Sequence, residues 1–210
     1  TFVDATATFK ASDSFWSWNS KAADLDNDQW QDILIANGFG FGEIQNEIHS
    51  NVLFHNQKGT HFRESAKEFG LTQYLNTPSY TYLDIDLDGD IDIISTAIMA
   101  QPQVYINQTS DVNFNSTGNN GISFSLRDNA NNRFCIGCKV IIEYGDNQHQ
   151  VREIKLSGGF LSFDDPVAYF GLEAFDHVTA VNITWSDGSN TKISTPLQSG
   201  SRYMLSRNSP

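Results

Sequence analysis

Two stretches of this chain, residues 24–32 (DLDNDQWQD) and 84–92 (DIDLDGDID), crowd four carboxylates into the first and five into the second. Like charges at contact repel by roughly 1 kcal/mol per pair in water, and by more where solvent is excluded. A chain that folds around such loops must offset that repulsion. The acidity is local: nine of the 25 acidic residues lie in the two stretches, and without them the net charge would be −3 instead of −12.

Each stretch sits between apolar or alternating segments. KAADLD and TYLDID precede them, ILIANG and IISTAI follow, and the pattern reads as strand–loop–strand, twice. NVLFHN, ending at Asn56, and QVYIN, ending at Asn107, extend the match. The first copy is longer by nine residues, placed in the insertion NGFGFGEIQNEIHS. THFRESAKEFG (60–70) further resembles TFVDATATFKA (1–11), so residues 2–6 are expected to be the closing strand of a preceding repeat. Repeats of this length, each a few short strands, indicate propeller blades. Two blades cannot close a ring, so either the chain is part of a longer propeller or something covers the open sheet edges.

Residues 111–120 (DVNFNSTGNN) are polar and turn-rich and read as a linker. Beyond them ISFSL, KVIIEY, VREIKL, VTAVNITW and TKISTPL are strand-like and separated by turns. The expected architecture is all-β: a partial β-propeller of about two blades over residues 1–110, then a small β-sandwich or barrel-like domain over 121–210.

In DIDLDGDID the acids at positions 1, 3, 5 and 9 alternate toward one centre, and Gly89 at position 6 permits the sharp turn. Oxygen-only ligation suits calcium, whereas magnesium demands a stricter octahedron and keeps more water. The spacing predicts two Ca2+ sites. One uses the side chains of Asp84, Asp86, Asp88 and Asp92 with the Asp90 carbonyl. The other uses Asp24, Asp26, Asp28 and Asp32 with the Trp30 carbonyl. The first loop carries Gln29 where the second has glycine, at a cost on the order of 1 kcal/mol if that position needs positive φ. Glu43 or Glu47 of the insertion could lend a further oxygen.

AADLDNDQWQDILIANG with NVLFHNQKGTHF, and YLDIDLDGDIDII with QVYIN, resemble FG-GAP/VCBS-type repeats, the calcium-loop blades of integrin-like propellers. NRFCIGCKV, LSGGFLSF, AYFGL and WSDGS resemble the ASPIC/UnbV domain of cartilage-acidic-protein-like secreted proteins. Two departures stand out: Ser186 where that family usually has proline, and Cys135 and Cys138 where it has small residues. The resemblance implies an extracellular, cell-surface or periplasmic adhesion, scaffold or recognition protein without catalytic activity. It would bind a protein or glycan at the blade surface. The alternatives are an accessory subunit of an extracytoplasmic enzyme complex and a glycan-binding lectin-like module.

Other features are weaker. CIGCK could hold a disulfide between Cys135 and Cys138, two small core residues, a redox pair, or a haem attachment lacking its histidine. In a straight strand residues three apart face opposite ways, so a disulfide would need Gly137 to break the strand. The five histidines show no ligand spacing, and no nucleophile motif is present. Ser157-Gly158-Gly159 reads as a tight turn. Trp16, Trp18 and Trp30 read as blade core, and the insertion as a recognition loop. Asn107, Asn115 and Asn182 head glycosylation-type triplets. A chain at −12 is a poor partner for nucleic acid, and no apolar run reaches the roughly 20 residues that span a bilayer.

Overall fold

The computed structural model describes residues 1–38, 49–109, 118–129, 131–156 and 158–207. Residues 39–48 of the insertion, with Glu43 and Glu47, most of the linker, Asn115 and Ser157 lie outside the described residues.

Two antiparallel sheets come from the repeat. The first has four strands in sequence order, β1 (Ser17–Ala23), β2 (Asp32–Asn37), β3 (Val52–Asn56) and β4 (Phe62–Glu64). The second has three, β5 (Ser79–Leu83), β6 (Asp92–Thr96) and β7 (Gln103–Tyr105). Each acidic stretch is the connection between the first two strands of its sheet. The sheets pack through one core, in which Leu34, Ala36 and Leu53 meet Tyr80, Tyr82, Ile91 and Ile93. The Tyr80 hydroxyl donates to the Leu34 carbonyl at 2.6 Å and so satisfies its polar end inside that core. Neither sheet closes on itself, as expected of a partial propeller.

The N-terminal segment corrects one expectation. Residues 2–6 form no strand; Phe2 and Val3 are fully or nearly exposed, and a one-turn helix α1 (Thr6–Phe9) follows. A strand needs a partner for its backbone groups, and none of the described residues provides one. The later part of the match does fold alike. Asp4 accepts the Thr6 N–H as Glu64 accepts that of Ala66, both at 2.9 Å. Phe9 N–H then donates to Ala5 O as Phe69 N–H does to Ser65 O.

The second domain is a sandwich. One sheet runs β10 (Gln148–Glu153), β9 (Lys139–Tyr144), β13 (Ala180–Thr184), β14 (Asn190–Ile193), all antiparallel. The other runs β11 (Val167–Glu173), β8 (Asn120–Arg127), β16 (Ser201–Ser206), with β8 and β16 parallel. A two-residue ribbon joins β12 (His177–Val178) to β15 (Leu197–Gln198). Ile122, Phe124, Val140, Ile142, Phe170, Leu172, Val181 and Ile183 fill the space between the sheets. Cys135 and Cys138 are joined by a disulfide with Cα atoms 5.3 Å apart, on a turn where Cys135 and Gly137 take positive φ, and both are buried in this core.

Strand β8 explains how the two domains meet. Its sequence alternates large apolar residues (Ile122, Phe124, Leu126) with small ones (Gly121, Ser123, Ser125), and all six are buried. The large set faces the sandwich core. The small set lets the acidic loops approach: a Cβ on Gly121 would lie 2.7 Å from Asn27 Nδ2 and 2.8 Å from the Gly89 carbonyl. In β11, a Cβ on Gly171 would lie 2.1 Å from Asp24 Oδ2. The second domain also covers the edges of β1 and β5. Asp165 N–H donates to Tyr82 O (3.1 Å), and Thr81 Oγ1 donates to Phe163 O (2.5 Å). The Lys21 ammonium, buried on β1, pairs with Asp164 at 2.7 Å.

Candidate metal centre

The two loops share a backbone frame. Positions 4 and 6 take positive φ in both: Asn27 (58°) and Gln29 (81°) in the first, Leu87 (65°) and Gly89 (94°) in the second. These values wind the chain tightly enough for the acids to converge. The strain at Gln29 is offset across the domain boundary, where its amide accepts from the Tyr144 hydroxyl (3.0 Å) and donates to Glu173 (3.2 Å).

Position 9 does the same work in both loops. Asp32 accepts the N–H of Leu25 at 3.2 Å and of Asn56 at 2.7 Å; Asp92 accepts those of Ile85 and Asn107, both at 2.7 Å. Each carboxylate thus closes its own loop and fastens it to the asparagine at the end of the third strand (Asn56) or just beyond it (Asn107). The pairing of Asn56 with Asn107, read from sequence as a repeat, is a repeat of this tie. Asn107 is engaged a second time: its Nδ2 donates to the carbonyls of Leu25 (2.8 Å) and Ile91 (3.2 Å), so it links the loops to each other. A sugar on that nitrogen would replace one of its two hydrogens and so cost at least one of these bonds. Asn182 Nδ2 is likewise donated to Glu143, at 2.7 Å.

The remaining acids divide unequally. Asp84, Asp86 and Asp88 each bring an oxygen to within 4.8 Å of the others. In the first loop the corresponding group is Asp26, Asp28 and His55. Asp24, the counterpart of Asp84, accepts the N–H groups of Asp28 (3.0 Å) and Gln29 (2.9 Å). Asp90 is fully buried, and its carboxylate accepts from Asn27 Nδ2 at 2.5 Å, turned toward the other loop. Trp30 stacks over Gly59, and its N–H donates to Asp28 at 2.9 Å.

The electrostatics favour a cation. Burial raises the Asp24 carboxyl well above the usual range, with repulsion from Asp26, Asp28 and Asp32 adding to it. Burial pushes Asp32 up to about 7 against the opposing backbone hydrogen bonds. Asp28 and Asp84 are raised by burial first and then by Asp26 and Asp88 respectively, and Asp92 is raised by burial. Asp84 Oδ1 is buried without a hydrogen-bond partner. An oxygen in that condition, beside two further carboxylates, fits a hard cation.

Two sequence readings need adjustment. Trp16 and Trp30 are about half-exposed, at 53% and 42%, so they are not blade core; Trp18 is partly buried, its indole N–H donating to the Gly38 carbonyl. His55 had no spacing signal because its partners, Asp26 and Asp28, precede it by a strand and the whole insertion. The available clue was its position immediately before Asn56, the residue that Asp32 holds to the loop.

Residues 24–95 match the family model of the FG-GAP-like repeat, and residues 128–209 match that of the ASPIC and UnbV domain. No curated protein matches the chain. The chain thus carries an FG-GAP-like repeat followed by an ASPIC/UnbV domain.

Proposed function

We propose that this is a non-catalytic, extracytoplasmic recognition or adhesion module whose acidic loops are made rigid by bound divalent cations, calcium foremost. The buried, unpartnered Oδ1 of Asp84 beside Asp86 and Asp88 carries this reading. Asp92 and the Asp90 carbonyl would complete the second site. Asp24, Asp26, Asp28, Asp32 and the Trp30 carbonyl would serve the first. When bound, the ion supplies positive charge that offsets the crowded carboxylates, and the chain's own residues fix the loop and dock the ASPIC/UnbV domain on it.

FG-GAP-like repeats are typical of extracellular proteins, and no helix among the described residues is long and apolar enough to cross a membrane. A cleft of about 590 Å3 lies between the domains; Lys21 and Asp164 in its lining form an ion pair, and Asp165, also in its lining, pairs with Arg202 outside it. The exposed Phe15 and Trp16 ahead of β1 offer an aromatic surface for a protein or glycan partner.

Calcium at a hundred times its Kd adds about 2.7 kcal/mol per site. EGTA should therefore lower the melting temperature by several degrees, at ~2–4 °C per kcal/mol for a chain of this size. Asp86→Ala should remove the second loop's calorimetric cation site and leave that of the first loop. A melting temperature indifferent to EGTA would overturn the reading.

A further inference from the structure

The two loops differ where an ion would sit. The second presents oxygen alone, from Asp84, Asp86 and Asp88. The first presents Asp26, Asp28 and the His55 imidazole; Asp24, like Asp84 in the second, lies against backbone N–H groups of its own loop. The second-loop counterpart of His55, the residue before the tied asparagine, is Ile106, which has no donor atom.

The fold holds His55 in place. Asp32 anchors the adjacent Asn56 N–H at 2.7 Å, Phe69 packs edge-on against the ring with centroids 5.2 Å apart, and the Gln57 amide lies 3.1 Å from Nδ1. That leaves Nε2 directed at the loop, 3.1 Å from Asp26 Oδ2. With the ring protonated the two groups form an ion pair; apart from that, Nε2 is buried without an aligned hydrogen bond. Two donors about 2.0–2.1 Å from one tetrahedral ion stand roughly 3.3 Å apart, so the separation suits a pair of ligands to a shared ion.

Resting on the reading that these loops hold divalent cations, we propose that the first loop is a mixed nitrogen–oxygen site for a first-row transition dication, bound by Asp26, Asp28 and His55 Nε2. The second loop keeps an oxygen-only site for calcium. Imidazole nitrogen is a good ligand for zinc, cobalt and nickel, whereas calcium takes oxygen. One chain would then carry two sites of different selectivity, separated by a single side-chain difference at the end of the third strand.

Zinc chloride titrated into the metal-stripped full chain with calcium chloride present tests this by calorimetry. The wild type should take one zinc per chain. His55→Ile, which copies the second loop, should weaken zinc at least ~10-fold and leave calcium binding unchanged. In the wild type, zinc should also shift the His55 ring resonances in a histidine-selective 1H–15N spectrum, a readout that stands even if the variant folds poorly. Unaltered zinc affinity in a folded His55→Ile protein, or unmoved His55 signals at zinc saturation, would overturn the proposal. If calcium binds both loops and zinc does not bind, only the selectivity fails. If neither metal binds, the divalent-cation reading fails with it.

Discussion

Gln29 shows how a local exception is resolved at a distance. A non-glycine residue at φ 81° costs on the order of 1 kcal/mol. Its side chain bonds to Tyr144 and Glu173, both in the other domain. Such hydrogen bonds contribute about 0.5–1.5 kcal/mol each. Gln29→Ala keeps the strain and loses the bonds, whereas Gln29→Gly loses the bonds and relieves the strain. Urea unfolding should rank wild type above Gly above Ala or place Gly near wild type, with Ala below Gly by about 1 kcal/mol. Equal stability of the two variants would mean that φ at this position carries no strain. From the sequence, the departure from glycine was visible and its cost could be stated. The compensation was not, because nothing local ties residue 29 to residues 144 and 173.

Among the elements, the inner edges of the two sheets matter most. Strands β1 and β5 would present unpaired backbone at the sheet edges, and the segment 162–165 covers them. Asp164 carries much of that cover: it pairs with Lys21 and also accepts the Tyr82 N–H at 2.9 Å. Burial lowers the Lys21 pKa, and Asp164 works against that shift. Asp164→Ala leaves a buried ammonium without its counter-charge and should cost about 2–3 kcal/mol, less than a fully enclosed pair because Asp164 is partly exposed. Lys21→Met with Asp164→Leu should recover much of the loss, both read by chemical denaturation. A single variant within about 0.5 kcal/mol of wild type, the range of ordinary surface substitutions, would show that the pair is incidental. Strand prediction followed the same divide between local and distant information. β1 to β3, β5 to β9, β13 and β14 were legible as apolar or alternating runs. The expected VREIKL strand begins at Gln148 instead of Val151, as β10, because the turn at Gly145–Asn147 sets the hairpin. β16 escaped notice because its partner β8 is parallel and lies at the opposite end of the domain sequence. Its Ser201, Met204 and Ser206 do not make a clear stripe either.

For the molecule as a whole, the ASPIC/UnbV domain is seated on the acidic loops themselves. Glu173 N–H donates to Asn27 O (2.8 Å), Asn119 donates to Asp26 O (2.9 Å), and Ser123 reaches Asp84 at 3.4 Å. Gly171 tests this seating. Its added Cβ would meet Asp24 Oδ2 and the Asn27 backbone at 2.1 to 2.6 Å, and backbone cannot step aside. Gly171→Ala should destabilise by more than about 2 kcal/mol and open the domain boundary to limited proteolysis. Gly188→Ala, with open space around it but φ +85°, should cost only about 1 kcal/mol and leave the boundary protected. Equal protease resistance in the two variants would refute the docking.

The sequence by itself determined what depends on near neighbours: the strand–loop–strand repeat, the clustering of carboxylates and the positive-φ turn at position 6. Period-2 patterning and charge repulsion act over a few residues, so they can be read off the chain. Only the tertiary structure decided which acids face a common point, that His55 joins two of them, and that a second domain closes over both loops. Those outcomes depend on side chains from distant parts of the chain being packed at ångström separations, and packing at that range leaves no periodic trace in the order of residues.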